Sequence, residues 1–389
     1  MNSVLHTPER TAIVDTMAAL GPRISERASA VDDAAVFPHE NWADLTHAGL
    51  LGIVIPTSDG GLGGDFVGYA LASEELARHC GSTALTFNMH VATTLLVGEV
   101  ADLIGLDDED MSYLVDRRKL LYQGVVEDGH IHSQPFSEGI SVGATTGYAT
   151  RAEPVDGGYL VTGRKIFASL SGAANYHNVL CQVEGDDRLR LLGVPHLGDG
   201  VEIQGEWNPL GMRGTDSRNL VMDEVFVPHE HEWLPPGVFN AEADRFPYFF
   251  MTLSFSYLGI MRAILDFTED YLKTGGRRDH AIKQQGWTAM NIQYEQAQAL
   301  LYRVLADACV DPDAAQIQRA QASLITTMEG APAMASTAIQ ICGGRALLRP
   351  SPIERLYRDA RCGAVMLPWS VEVCRERMGR ARLFDGSEQ

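Results

Sequence analysis

Two histidine pairs carry the first chemistry in the chain, His130-Ile131-His132 and His229-Glu230-His231. A two-residue spacing on a strand turns both imidazoles to one side, where they could bind a metal. Metal sites usually need three or more converging ligands, and neither an HExxH helix nor a third ligand marks these pairs. They read as solvated loop histidines, and no metal is expected. The six cysteines, Cys80, Cys181, Cys309, Cys342, Cys362 and Cys374, form no CxxC pair. That disfavours a structural zinc site and a disulfide framework and leaves reduced, mostly buried thiols. The run Asp59-Gly60-Gly61-Leu62-Gly63-Gly64 fails GxGxxG and lacks βαβ surroundings, so it reads as a turn between packed elements. No Walker sequence and no GxSxG elbow suggests phosphoryl or acyl transfer.

The elements that would position such groups come from composition and texture. The chain has 389 residues, 45% apolar and 21% charged, with 51 acids against 31 Lys plus Arg, for a net charge of -20. This is globular composition, and the acidic balance argues against nucleic acid and against an anionic membrane surface. The start, MNSVLHTPERTAIVD, lacks the basic-then-apolar order of a signal peptide, so a cytoplasmic protein is expected. One nearly uncharged run, Phe246 to Leu265, is long enough to cross a bilayer. Pro247, Thr252, Ser254, Ser256 and Arg262 interrupt it without a flanking basic cluster, which favours a buried helix.

Residues 1–118 read as helical, with Asp65 capping a helix to His79 and another from Ser82 to Val100. Residues 119–236 change to short alternating runs divided by turns such as Asp156-Gly157-Gly158 and Gly198-Asp199-Gly200, an antiparallel β insert. Residues 237–389 return to helix. Met290, Tyr294, Ala297, Leu301 and Val304 form one stripe, and the Ala-rich segment Gly330 to Ile341 suits close helix packing.

Six segments acquire meaning in order: GLLGIVIPTSDGGLGGDF, ASEELARHCGSTALTFNMHVA, PFSEG, DGGYLVTGRKIFAS, LGMRGTDSRNLVMDEVFVP and QICGGRALLRPSPIERLYRDAR. Together, from about Trp42 to Arg361, they resemble the acyl-CoA dehydrogenase superfamily of FAD flavoproteins. The resemblance implies an α+β fold with an N-terminal helical domain, a middle antiparallel β-barrel domain and a C-terminal four-helix bundle. It places Phe136, Ser137 and Glu138 in the turn at the flavin pyrimidine edge, and Phe167 and Ser169 beside the flavin's reactive nitrogen. An isoalloxazine needs polar groups that stabilise its electron-rich form and an apolar wall against water. Gln340, Gly343 and Gly344 match a segment that reaches FAD across a subunit interface, implying a homodimer or homotetramer. The family's other cross-subunit arginine has no clear match, with Arg277 and Arg278 as the substitutes on offer.

The main departure concerns the base that removes an α-proton. An ungapped count from Arg358-Asp359-Ala360-Arg361 puts Leu367 where the family's glutamate stands, and the alternative position falls on Phe249. The neighbouring arginine that supports CoA in the family is Phe250. A buried Leu367 is expected. Glu138, Glu372 and Glu376 remain as unplaced bases. The oxygen-using branch of the superfamily shares the proline at Pro368, with Met366 where some members have histidine. Three functions follow from the resemblance. The first is FAD-dependent desaturation of an acyl thioester on CoA or an acyl carrier protein, with an electron-transfer flavoprotein as redox partner. The second is a monooxygenase or N-hydroxylase using oxygen and a flavin reductase. The third is a subunit without its own base in a hetero-oligomeric dehydrogenase.

Overall fold

The computed structural model describes residues 2–139 and 147–384. Local chemistry explains where its helices begin. Thr7 accepts the Arg10 backbone N–H at 3.3 Å ahead of helix Pro8–Ala34. Asp65 accepts that of Gly68 at 2.8 Å ahead of helix Phe66–His79. The glycine-rich run between them is a turn. Gly63 and Gly64 donate back to Ile55 and Ile53, and a Cβ on Gly61 would stand 2.2 Å from the Ile55 oxygen. Close backbone approach accounts for these glycines without a phosphate. Helix Gly81–Leu95 follows, and helix Asp108–Val126 continues past Arg118 because Leu121, Tyr122 and Val125 are buried.

Among the described residues, the middle part contains seven strands: β1 (His132–Ser133), β2 (Arg151–Val155), β3 (Gly158–Ala168), β4 (Tyr176–Val183), β5 (Asp186–Pro195), β6 (Val201–Gln204) and β7 (Arg218–Pro228). They run in the order β1-β4-β2-β3-β7-β6, with β5 also pairing β4. The antiparallel texture holds for β2/β3, β3/β7, β4/β5 and β6/β7. Two pairings of β4, with β1 and at one position with β2, are parallel. Their partners are brought in by long connections, which alternation along single strands does not reveal.

The C-terminal helices are Leu253–Lys273, Ala281–Asp307, Ala314–Cys342, Pro352–Cys362 and Val371–Leu383. The Met290 to Val304 stripe is buried throughout, as are Ala331, Ala335 and Ala338. The apolar run lies in Pro247–Lys273, where 83% of its most apolar window is buried in the protein core. Helix Leu253–Lys273 meets Phe66–His79 at Gly259, where a Cβ would stand 2.1 Å from the Glu74 oxygen. Cys80, Cys181, Cys342 and Cys374 are buried, and all six cysteines are free.

One side chain joins the three parts. Arg358 donates to Asp32 on the first long helix at 2.9 and 2.5 Å, to Glu354 at 2.6 and 2.8 Å, and to the Leu210 carbonyl at 3.1 Å. All five of its N–H groups are thereby engaged. Beside it, buried Asp359 accepts the Met212 N–H at 2.6 Å. Gly211 lies so close that a Cβ would sit 2.4 Å from the Arg358 carbonyl. Removing one partner of a buried ion pair strands the other charge. Asp32→Ala should therefore cost ~3–5 kcal/mol, whereas Asp32→Leu combined with Arg358→Met should cost clearly less. Urea unfolding of both variants checks this, and equal losses would show that the pair is not acting as a unit.

Candidate functional site

The turn at Phe136–Glu138 is bolted to β3. The Ile166 N–H donates to the Ser137 carbonyl at 2.8 Å, and Lys165 Nζ donates to Glu138 at 2.6 Å with both side chains buried. Glu138 also accepts the Ala149 and Thr150 N–H groups at 2.5 and 3.0 Å and the Thr150 hydroxyl at 2.5 Å. Lys165 completes its coordination at the Leu180 carbonyl, 2.7 Å away. Burial opposes the charge on Glu138, but bonds from Lys165 and Thr150 prevail and hold its carboxyl below the ordinary range. Glu138 is thus a structural anion, not an available base. The pair was hidden in the sequence although Lys165 falls on the inward side of β3, two positions from Gly163 and four from Val161.

The same interaction aligns the second expected segment. The β3/β7 register shifts between Lys165 and Ala168, and at this bulge Phe167 takes φ +52° with 63% of its surface exposed. A left-handed aromatic residue stores strain, which concentrates at sites where a side chain must be aimed. The Phe167 ring meets Trp207 edge-on at 6.4 Å. Two residues on, the Ser169 hydroxyl lies 2.8 Å from that of Ser217, and Ser217 lies 2.7 Å from that of Thr215. The structure thus unites Phe136, Ser137, Phe167 and Ser169 around β3.

An aromatic series leads away from this turn. Phe136 contacts Phe239 at 5.5 Å, Phe239 contacts Phe249 at 6.1 Å, Phe249 contacts Phe250 at 4.8 Å, and Phe250 contacts Trp369 at 6.1 Å. The two regions in which the family carries its base therefore meet, through aromatic rings. Leu367 departs from expectation, since it is 55% exposed. It lies in the segment between Val365 and helix Val371–Leu383, where Trp369 rather than Leu367 turns inward. Glu372 and Glu376 lie on exposed positions of that last helix. Sequence reasoning missed Glu242, in helix Val238–Arg245 one turn after Phe239. Its carboxyl is wholly buried, and neither oxygen has a hydrogen-bond partner among the described residues. Its signal was an acidic residue three positions from one inward Phe and four from another, Phe246.

Gln340, Gly343 and Gly344 lie elsewhere, at the end of helix Ala314–Cys342, and no hydrogen bond among the described residues links them to the Phe136–Ser169 region. Gly343 has φ +79° and ψ -168°, backbone that only glycine adopts readily. Both glycines face open space and Gln340 is exposed, so a ligand or second chain could approach closely. Arg277 is committed to its own turn, bonding Thr274 at 2.7 Å and lying 4.3 Å from the Tyr271 ring centre, while Arg278 is exposed.

The histidine reading needs correction. His229 is exposed, but His132 is buried and stacks on Tyr176 at 5.3 Å and 13°. Its backbone N–H donates to His90 Nδ1 at 3.1 Å. His231 stacks on Trp233 at 5.3 Å. Strand β1 is covered by helix Gly81–Leu95, and burial pushes the His132 imidazole well below its ordinary pKa.

A flavin fits these residues. Gln134, two positions before Phe136, is buried, and among the described residues neither its amide nitrogen nor the Trp207 indole nitrogen against Phe167 has a partner. Both are donors without acceptors, and the carbonyl-bearing edge of a flavin supplies acceptors. Models described as the acyl-CoA dehydrogenase N-terminal, middle and C-terminal domains match residues 7–100, 138–225 and 245–381. The chain is 25% identical over 391 residues to an L-evernosamine nitrososynthase of Micromonospora sp., covering 94% of this chain and 88% of that protein. It is 25% identical over 356 residues to the mitochondrial isovaleryl-CoA dehydrogenase of Oryza sativa, covering 87% and 82%. Among solved structures, KijD3 with FMN and dTDP-3-amino-2,3,6-trideoxy-4-keto-3-methyl-D-glucose superposes with a TM-score of 0.84 at 22% identity, covering 98% of this chain and 96% of the other.

Two outcomes follow from this geometry. Phe167→Ala with Ser169→Ala should weaken flavin retention about tenfold or more, from the loss of a ring contact and a hydrogen bond worth ~1 kcal/mol each. Equilibrium titration with FAD measures it. Burial raises the Glu242 carboxyl well above its ordinary pKa. The folded state thus keeps a proton that the unfolded chain releases near pH 4–5, so this group lowers stability as pH rises through that range and beyond. Glu242→Gln should therefore raise Tm more at pH 8 than at pH 4, and a pH-independent change would show the carboxyl is paired or hydrated.

Proposed function

The chain belongs to the acyl-CoA dehydrogenase family, and on that premise we propose that it is a flavin-dependent monooxygenase that receives reduced flavin from a separate reductase. As a family member it is a flavoprotein oxidoreductase, with FAD the cofactor typical of the fold. The carrying observation is that the two usual base positions are Leu367, on the surface, and Phe249, inside an aromatic series. The alternative carboxylates are spent in an ion pair, as Glu138 is, or exposed on the last helix, as Glu372 and Glu376 are. α,β-Desaturation needs a base worth about two to four powers of ten in rate. Oxygen insertion needs no such base at a substrate carbon. The nitrososynthase relative supports this branch.

When bound, reduced flavin would supply the two electrons by which substrate plus oxygen gives the oxygenated product plus one water, itself becoming oxidised flavin. The chain's own part is to bind, orient and exclude water. Gln134, Ser137 and Trp207 would offer polar groups to the flavin edge, and Phe167 would cover the ring. Phe136, Phe239, Phe249, Phe250 and Trp369 form a continuous run of ring contacts leading from the Phe136 turn, an apolar wall suited to an apolar or planar substrate portion. Gln340, Gly343 and Gly344 reach the cofactor from a second copy in a homodimer or homotetramer.

Desaturation of an acyl thioester is the second reading, favoured by the match to isovaleryl-CoA dehydrogenase, and its base would come from a partner subunit. Anaerobic mixing of the flavin-loaded protein with butyryl-CoA or octanoyl-CoA separates the two. The expected result is flavin reduction slower by a hundredfold or more than a base-assisted reaction, about the value of a general base, together with oxygen uptake when a reductase supplies reduced FAD. Rapid bleaching by an acyl-CoA would overturn the monooxygenase reading. Bleaching only after mixing with a related chain would assign it a subunit role.

A further inference from the structure

The Ser169 hydroxyl ends a buried chain whose direction follows from its last member. Thr215 Oγ1 lies 2.9 Å from the Met212 carbonyl, which can only accept, so the single Thr215 hydroxyl hydrogen is spent there. Ser217, 2.7 Å away, must then donate to Thr215, and Ser169, 2.8 Å further on, must donate to Ser217. Thr215 is 1% exposed and Ser217 6%, so bulk water does not supply substitutes. The anchor is fixed from behind, because the Met212 N–H is held by Asp359 at 2.6 Å. Ser169 is left with lone pairs, and no hydrogen, to offer the flavin.

This matters because the flavin nitrogen expected opposite Ser169 changes sign with redox state. Oxidised, it is a bare acceptor. Reduced, it carries a hydrogen and donates. The chain as built suits the reduced form. Serving the oxidised form requires Ser169 to turn its hydrogen to the flavin, and the chain then loses one of its three bonds, Ser169 to Ser217, Ser217 to Thr215 or Thr215 to Met212, according to how many hydroxyls turn with it. The reversal thus costs one hydrogen bond, enough for a bias and too little for an absolute block.

We propose that Thr215, Ser217 and Ser169 form a polarised hydroxyl chain that makes this site hold reduced flavin more tightly than oxidised flavin. The inference rests on the flavin reading above and deepens it. A protein fed by a separate reductase gains by capturing the reduced form and releasing the oxidised one. Thr215 and Ser217 act through Ser169 and are positioning residues.

The test compares the affinity of the full-length protein for oxidised FAD and for FAD reduced anaerobically, with the bound-flavin potential measured independently by spectroelectrochemistry. Thr215→Val removes the terminal donor and frees Ser217 and Ser169 to reverse. The ratio of reduced to oxidised affinity should fall about three- to tenfold, a decrease in potential of about 15–30 mV for a two-electron couple. Ser217→Ala should lower the ratio similarly, and Thr215→Ser, which keeps the hydroxyl, should retain the wild-type value. If Thr215→Val does not fold, Ser217→Ala decides. Ratios within twofold of wild type in the folded variants would overturn the chain while leaving the flavin reading intact. Failure of the wild-type protein to bind either form of FAD would overturn the reading and the chain with it.

Discussion

The rest of the structure depends on how the Arg358 guanidinium is satisfied. A fully engaged arginine buried between a first-helix aspartate, a glutamate of its own helix and a carbonyl of the β part permits one relative placement of three segments far apart in sequence. The neighbouring Asp359 turns that placement into a site. By gripping the Met212 N–H it fixes the carbonyl that orients Thr215, Ser217 and finally Ser169. Burial lifts the Asp359 carboxyl to about pH 6, so its proton occupancy changes within the range in which many enzymes operate. A buried charge network thus sets the geometry of the hydroxyl proposed to face the flavin.

A second ion pair, Lys165 with Glu138, does the equivalent work inside the β part. Taking both charges out of water is costly, and the cost is offset only because the remaining lone pairs and protons also find partners, at Ala149, Thr150 and Leu180. The same satisfaction that makes the pair tolerable removes Glu138 from catalysis. The Phe136 to Trp369 series runs through rings where a proton-accepting group would be needed. A chain with a net charge of -20 therefore places little usable negative charge along this proposed site. Burial pushes Glu242, which has no hydrogen-bond partner among the described residues, toward its neutral form beside this apolar region.

Much of the fold was legible in local pattern. The Asp65 cap, the glycine turn, the Met290 to Val304 stripe and the alternating β runs depend on neighbours a few residues away, and all stand where the pattern placed them. Residues whose environment comes from distant segments were harder to read. His132 belongs to a loop by its neighbours in sequence but is buried because helix Gly81–Leu95 covers β1. Leu367 is apolar yet exposed, because the adjacent Trp369 occupies the inward position.

The sequence by itself determined the order of helical, β and helical parts, the residue types at the positions the resemblance assigns to the flavin, and the absence of an acid at either usual base position. Periodicity, capping and the identity of a side chain are properties of short stretches, so they survive without coordinates. Only the tertiary structure decided which carboxylates were already paired, which apolar residues met as a wall, and which way the Ser169 chain points. These depend on distances between residues tens to hundreds of positions apart and on the rule that each buried hydroxyl has one hydrogen to give. Pairing of that kind is settled when segments pack, because a buried polar group takes the partner that packing leaves within reach.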